Sequence, residues 1–143
     1  MSKGKLAEEY FLKGYNCAVS VALAFKEELQ LEEEKIKRLT IAFGGGLARQ
    51  RLTCGAVSSM CMVIGYVLSN GESRAEIYPI IQSACNDFKR EVGSIICEDL
   101  LNGKIEVNTN PIPDERTKEY YVKRPCQELC YIAAEIAQKY LNK

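Results

Sequence analysis

Thr53–Leu68, TCGAVSSMCMVIGYVL, is the stretch that decides the fold. No charged residue falls between Leu52 and Gly71, in a chain where 27% of residues are charged. Cys54, Val57, Cys61, Ile64 and Leu68 recur at helical spacing and share one face, while Ala56, Met60, Val63 and Val67 cover the next. A helix that is apolar nearly all round belongs in the middle of a bundle. It is shorter than a membrane span, which takes about 20 apolar residues. Thr53 reads as the N-cap, which puts Cys54 in the first helical turn. The expected central helix, about 53–69, therefore begins with a thiol.

The flanking sequence supplies helices to surround it. Lys3–Leu29 reads as one long amphipathic helix, with Ala7, Phe11, Gly14, Ala18, Val21 and Phe25 along a single stripe. Cys17 lies beside that stripe in mid-helix, where the helix dipole offers a thiol nothing. Glu32–Phe43 reads as a second helix, with Glu32, Glu33 and Glu34 favouring its start. It stops at Gly44–Gly46, a run that suits either a sharp turn with tight helix contact or a loop whose backbone N–H groups meet an anion or thiolate. Without the Gly-Lys-Ser/Thr ending it is not a phosphate-binding P-loop. Arg49 and Arg51 then flank the approach to Cys54.

Ser73 and Glu76 form a capping-box pattern, and Pro79 predicts a kink or restart in the helix that follows. Tyr78, Ile81, Cys85, Phe88 and Val92 make its inward stripe, with Cys85 read as core packing. Gly93 suits a C-cap and Ser94 the next N-cap, placing Cys97 third in a short helix to about Leu101. Asn102–Glu115 reads as loop, with a short extended piece at Lys104–Val107, and Glu115–Val122 as a helical turn. Pro125 opens the last helix, and Cys126 and Cys130 face inward. The expected fold is all-α, a compact bundle of about five or six helices around the central one, in a single domain covering 1–143.

Composition narrows the chemistry. Lysine plus arginine and aspartate plus glutamate each number 19, so no basic footprint for nucleic acid exists. No apolar run follows the basic Met1–Lys5, so no signal peptide is expected and the chain reads as cytoplasmic with no membrane span. There is no histidine, which removes Ser-His and Cys-His nucleophile pairs and imidazole metal ligands. There are seven cysteines, and in a cytosolic chain these point to metal binding or thiol chemistry, alongside plain packing.

Cys54, Cys97 and Cys126 fall in first turns, where free N–H groups stabilise a thiolate, and basic side chains precede Cys54 and Cys126. Spacing limits how thiols pair. Cys54 and Cys61 are separated by about 10 Å of helical rise. Cys126 and Cys130 place their Cβ atoms about 5–6 Å apart, against the roughly 3.5–4.5 Å of a disulfide. No CxxC occurs, so a functional pair must join different helices.

These residues carry a resemblance. Tyr15-Asn16-Cys17-Ala18, Gly44–Gly46 with Thr53-Cys54-Gly55-Ala56, Phe88 and Gly93-Ser94 through Cys97 to Leu100-Leu101, and Cys126 together resemble the family of putative redox-active proteins named for its cysteine pattern, C_GCAxxG_C_C. Ser59 stands where that pattern closes its central motif with glycine. The resemblance implies four family cysteines, Cys17, Cys54, Cys97 and Cys126, with Cys61, Cys85 and Cys130 outside the pattern. It names a class without supplying a reaction.

Three readings follow. In the first, a thiol-based redox protein and candidate thiol–disulfide oxidoreductase, Cys54 is the attacking thiolate and Cys17, Cys97 or Cys126 the resolving partner. This needs no cofactor and implies a redox partner protein or small thiol. In the second, Cys17, Cys54, Cys97 and Cys126, with Cys130 as substitute ligand, hold zinc or an iron–sulfur cluster. In the third the protein is a non-enzymatic helical interaction partner with structural cysteines. The sequence leaves oligomerisation open.

Overall fold

The computed structural model describes residues 1–71 and 73–143. Among these the chain is all-α and has no strand. Its right-handed helices are α1 (Lys3–Leu12), α2 (Cys17–Ala24), α3 (Lys26–Leu29), α4 (Glu33–Thr40), α5 (Gly55–Leu68), α6 (Arg74–Val92), α7 (Cys97–Leu101), α8 (Lys118–Lys123) and α9 (Cys126–Leu141). A 3-10 turn, Ile41–Phe43, continues α4. None of the described helices is long and apolar enough to cross a membrane.

The long N-terminal helix expected over Lys3–Leu29 is three helices. Gly14 takes φ 107°, a left-handed conformation that ends α1. Asn16 then caps α2, its Oδ1 accepting the Val19 N–H at 2.9 Å. The apolar stripe runs on across the break, with Ala7, Phe11, Ala18, Val21 and Phe25 all buried. Burial is continuous, so periodicity alone hides the corner. The consequence is chemical: Cys17 is the first residue of α2, not a mid-helix residue.

Every residue of α2 is buried, and α1, α4, α5 and α9 pack around it. The centre of the bundle is thus α2 against α5. Helix α5 buries Ala56, Val57, Met60, Val63 and Ile64, while Tyr66 and Val67 at its far end are exposed. Its N-cap is Cys54, one residue later than the expected Thr53. Ser59 sits where α5 crosses α2, and its buried hydroxyl donates to the Ala18 carbonyl at 2.6 Å. The serine that departs from the family pattern joins the two core helices.

Helix α6 runs through Pro79 unbroken, which forfeits one backbone hydrogen bond within its first two turns. Ser73 is its N-cap, but its hydroxyl accepts the Asn70 N–H instead of closing a capping box. Tyr78, expected inward, is 60% exposed, because only Ala84 and Phe88 of α6 are buried against the bundle. The segment Lys104–Val107 forms no extended pairing. A Thr53–Ile96 bridge joins the approaches to α5 and α7, with Cys54 N–H donating to Ile95 O at 2.8 Å and Cys97 N–H to Leu52 O at 2.6 Å. This pairing sets two helix starts, each carrying a cysteine, side by side. It also begins α7 at Cys97, which is the first helical residue and not the third.

Ser59→Ala removes the α2–α5 hydrogen bond without creating a large void. It should cost about 1–2 kcal/mol, read as a lower denaturant midpoint at unchanged slope. An unchanged midpoint would show that the crossing does not depend on this bond.

Candidate functional site

A cavity of about 560 Å³ opens between the starts of α2, α5, α7 and α9, and Cys17, Cys54, Cys97 and Cys126 all line it. Each of the four stands at a helix start: Cys54 is the N-cap of α5, and Cys17, Cys97 and Cys126 are first residues of their helices. Of the other cysteines, Cys130 is fully buried one turn into α9, its Sγ 3.8 Å from the Cys17 carbonyl oxygen. Burial pushes its thiol well up. Cys61 and Cys85 lie on α5 and α6, outside the cavity lining.

Glycines bring backbone onto these sulfurs. A Cβ on Gly55 would lie 2.7 Å from Cys17 Sγ, and one on Gly46 would lie 2.8 Å from the Cys97 Cβ. A Cβ on Gly44 would lie about 2.3 Å from the Asn16 amide nitrogen, which donates to Ile41 O at 3.0 Å. The Gly44–Leu47 turn is left-handed. From Gly45 to Arg49 every residue has φ between 52° and 71°, Leu47, Ala48 and Arg49 included. Left-handed backbone costs roughly 1–2 kcal/mol per non-glycine residue. Crossed hydrogen bonds hold it, from Ala48 N–H to Ala42 O at 2.8 Å and from Leu52 N–H to Gly46 O at 3.0 Å.

The turn aims the Gly45 N–H at Cys17 Sγ, which also accepts from the N–H groups of Ala18 and Ala56 and from the Cys54 thiol. The Cys54 hydrogen bond is the largest influence, and together these bonds outweigh burial and lower the Cys17 thiol to about 6. Cys54, as the donor of that bond, is held well above the usual thiol range, and burial adds to the rise. Burial raises Cys97 despite the Arg51 guanidinium, and it pushes Cys126 up to about 12, with the charge on Cys17 adding to it. Of the four cavity thiols, Cys17 alone is lowered and the other three are raised. The sequence reading gave the thiolate to Cys54; here the lowered thiol is Cys17, chiefly through Cys54 and then through backbone N–H groups, among them that of Ala18 in the helix start that the expected long helix denied it.

The Gly44–Gly46 run is a tight turn, and the Gly45 N–H helps to lower the Cys17 thiol. Arg51 lies not on Cys54 but beside Cys97, Nη1 to Sγ at 3.8 Å. Arg49 pairs with Asp114 at 3.3 Å, and Arg124 pairs with the same carboxylate. Arg116, which sequence reasoning passed over, donates to Phe11 O at 3.0 Å and Tyr15 O at 2.8 Å, clamping the corner before Cys17. Its guanidinium lies over the Phe11 ring at 4.4 Å and the Tyr120 ring at 4.7 Å. No periodicity marks Arg116, since it stands in the loop before α8. Asn16 did carry a signal, as a good N-cap residue two places after a glycine.

A model of the family described as "putative redox-active protein (C_GCAxxG_C_C)" matches residues 15–140 of the chain. The chain belongs to the C_GCAxxG_C_C family. The match takes in all four cavity cysteines and the Gly44–Leu47 turn. Neither a curated protein nor a solved structure matches it. As to metal, among the described residues no three cysteine, histidine, aspartate or glutamate side chains are grouped so as to hold one ion.

The Cys17 thiolate should titrate with a midpoint near 6, visible as ultraviolet thiolate absorbance and as the pH dependence of its alkylation. Cys54→Ala removes the strongest influence and should move the midpoint upward. A midpoint in the ordinary thiol range of about 8.5 in the native chain would contradict the arrangement.

Proposed function

We propose that this protein is a thiol–disulfide redox protein in which Cys17 and Cys54 are the exchanging pair. What supports the reading is that Cys17 and Cys54 meet in one cavity from two helix starts, the Cys17 sulfur lying against Gly55 next to Cys54, with the Cys17 thiol lowered and the Cys54 thiol raised by their interaction. Nucleophile and resolving thiol thus face each other from different helices, in a cavity that admits a small reactant.

The Cys17 thiolate attacks one sulfur of a disulfide, RS–SR. The RS–SR bond breaks, the Cys17–S–S–R bond forms, and RS⁻ leaves to take up a proton. Cys54 then gives up its proton and attacks the Cys17 sulfur. This forms Cys17–Cys54 and releases the second thiol. Two electrons pass from the dithiol to the disulfide, and two RSH leave. The reverse sequence oxidises a dithiol partner.

The same asymmetry serves both halves. A thiol near 6 is mostly thiolate at neutral pH and leaves readily. Cys54 is held protonated while Cys17 is charged, and loses that constraint once Cys17 is tied up in the mixed disulfide. Cys97 and Cys126, both raised, line the same cavity. A small thiol or a protein disulfide in the cytoplasm is the expected reactant, and nucleic acid is not.

Oxidation with a small disulfide should remove two of the seven free thiols reversibly, and mass mapping should place the bridge at Cys17–Cys54. Cys17→Ser and Cys54→Ser should each abolish it. Seven unchanged thiols would overturn the proposal, as would a bridge joining Cys97 to Cys126.

A further inference from the structure

The cavity carries an unanswered charge. Its lining includes Lys37, Arg49, Arg51, Arg116 and Arg124, against Asp114 as the acidic member. Asp114 is shared by Arg49 and Arg124. Arg116 is spent on two carbonyl groups. Arg51 is different. It is 5% exposed, its Nε donates to Asn108 O at 2.9 Å, and its Nη1 lies on the Cys97 thiol. Its Nη2 is fully buried and has no hydrogen-bond partner among the described residues. A buried guanidinium with an unpartnered donor, and with no ion pair to a carboxylate among the described residues, is costly unless something fills the place.

The backbone holds this fork in position. Arg51 itself has φ 64°, and its carbonyl accepts from the Glu98 N–H at 3.2 Å. A Cβ on Gly45 would come 3.8 Å from Arg51 Nη1, and the Gly45 N–H bonds the Cys17 sulfur, so one residue separates guanidinium from thiolate. A cavity of about 560 Å³ falls within the roughly 300–1,000 Å³ of small-molecule sites.

Resting on the thiol–disulfide reading, we infer that the reactant is a small carboxylate-bearing thiol or disulfide, whose carboxylate takes the open donor of Arg51 while its sulfur meets Cys17. The planar fork suits a carboxylate, and a charge-assisted bond there fixes the ligand's orientation towards the thiolate.

The test compares an anionic and a neutral reagent of the same shape on the native protein. Iodoacetate should alkylate Cys17 about tenfold faster, relative to iodoacetamide, than it does a free small thiol, the size of one charge-assisted bond. Dithiodipropionate should likewise outpace bis(2-hydroxyethyl) disulfide. Sulfate should suppress the preference, and Arg51→Gln should abolish it. A native-protein ratio equal to that of the free thiol overturns the inference, and this arm holds even if Arg51→Gln fails to fold. Alkylation needs no disulfide, so failure of the Cys17–Cys54 couple and failure of the carboxylate subsite are read separately.

A second inference stands on a different observation. Cys61 and Cys85 bring their sulfurs to 3.6 Å across α5 and α6, both half-buried and away from the cavity. A disulfide closes to about 2.05 Å, a short approach for two side chains already in contact. We propose that Cys61 and Cys85 are a separate oxidisable pair that staples α6 to α5. With hydrogen peroxide, Cys85 attacks one oxygen, the O–O bond breaks and water leaves a sulfenic acid. Cys61 then displaces a second water from that sulfur, so two thiols are oxidised and one peroxide is reduced. Cys85 is the attacking member because its partner's hydrogen bond and then Lys89 lower its thiol to about 7.

Stoichiometric peroxide should give a Cys61–Cys85 bridge by mass mapping, and a raised thermal midpoint, in the Cys17→Ser/Cys54→Ser chain. The same mapping on the native chain serves if that variant does not fold. Separate alkylation of Cys61 and Cys85 after oxidation, or sulfinic acid at Cys85 without a bridge, overturns the proposal.

Discussion

A sulfur resting on the first turn of a helix is the contact on which the rest depends. Cys17 Sγ occupies the place next to Gly55 where any side chain would collide, at 2.7 Å. To reach it, the chain must start a helix at Cys17, so α1 and α2 cannot be one. To start that helix it needs Asn16 as cap, and Asn16 in turn needs Gly44 without a side chain. To complete the sulfur's surroundings the chain must turn left-handed from Gly45 onward, which carries Leu47, Ala48 and Arg49 into backbone that L-residues avoid. Each requirement is local. Together they explain why the loop between α4 and α5 is the most irregular part of an otherwise plain helical bundle.

The second constraint is the short pairing of residues 51–54 with 95–98. Two hydrogen bonds on either side of the Thr53–Ile96 bridge are enough to align α5 with α7. Because both helices begin where the pairing ends, Cys54 and Cys97 line the same cavity. That geometry turns cysteines far apart in sequence into neighbours. It also places Arg51 next to Cys97 and leaves the start of α5 to hydrogen bonds alone. The thiolate is held by N–H groups and a thiol, and the nearby cations are left for other work.

The helical composition, the apolar α5 and the helix-start character of Cys54, Cys97 and Cys126 were legible, because periodicity and capping residues report local structure. Cys17 was misplaced because two local signals conflicted. The unbroken stripe from Ala7 to Phe25 spoke for one helix, while Gly14 and Asn16 spoke for a corner, and burial on both sides of the corner kept the stripe intact. Arg116 and Asn108 were not legible at all. Their contacts run to residues 105 and 57 positions away, and no pattern within a window of sequence encodes them. The left-handed run was half legible, since three glycines announce unusual backbone but say nothing of Leu47–Arg49 following them into it.

The electrostatics have a consistent logic. In both sulfur pairs one thiol is lowered by the proton its partner donates, and that partner is raised by the same bond. Two buried thiols in contact cannot both ionise, so each pair shares one charge, and the surroundings decide which member holds it. At Cys17 three backbone N–H groups decide; at Cys85 the lysine one turn along the helix does. The first kind of support is backbone, buried and shielded from solvent. The second is a surface charge, screened by salt and smaller in effect than the Cys61 contact. The two pairs thus differ in what acts beside the partner thiol: backbone N–H groups at Cys17, a side-chain charge at Cys85.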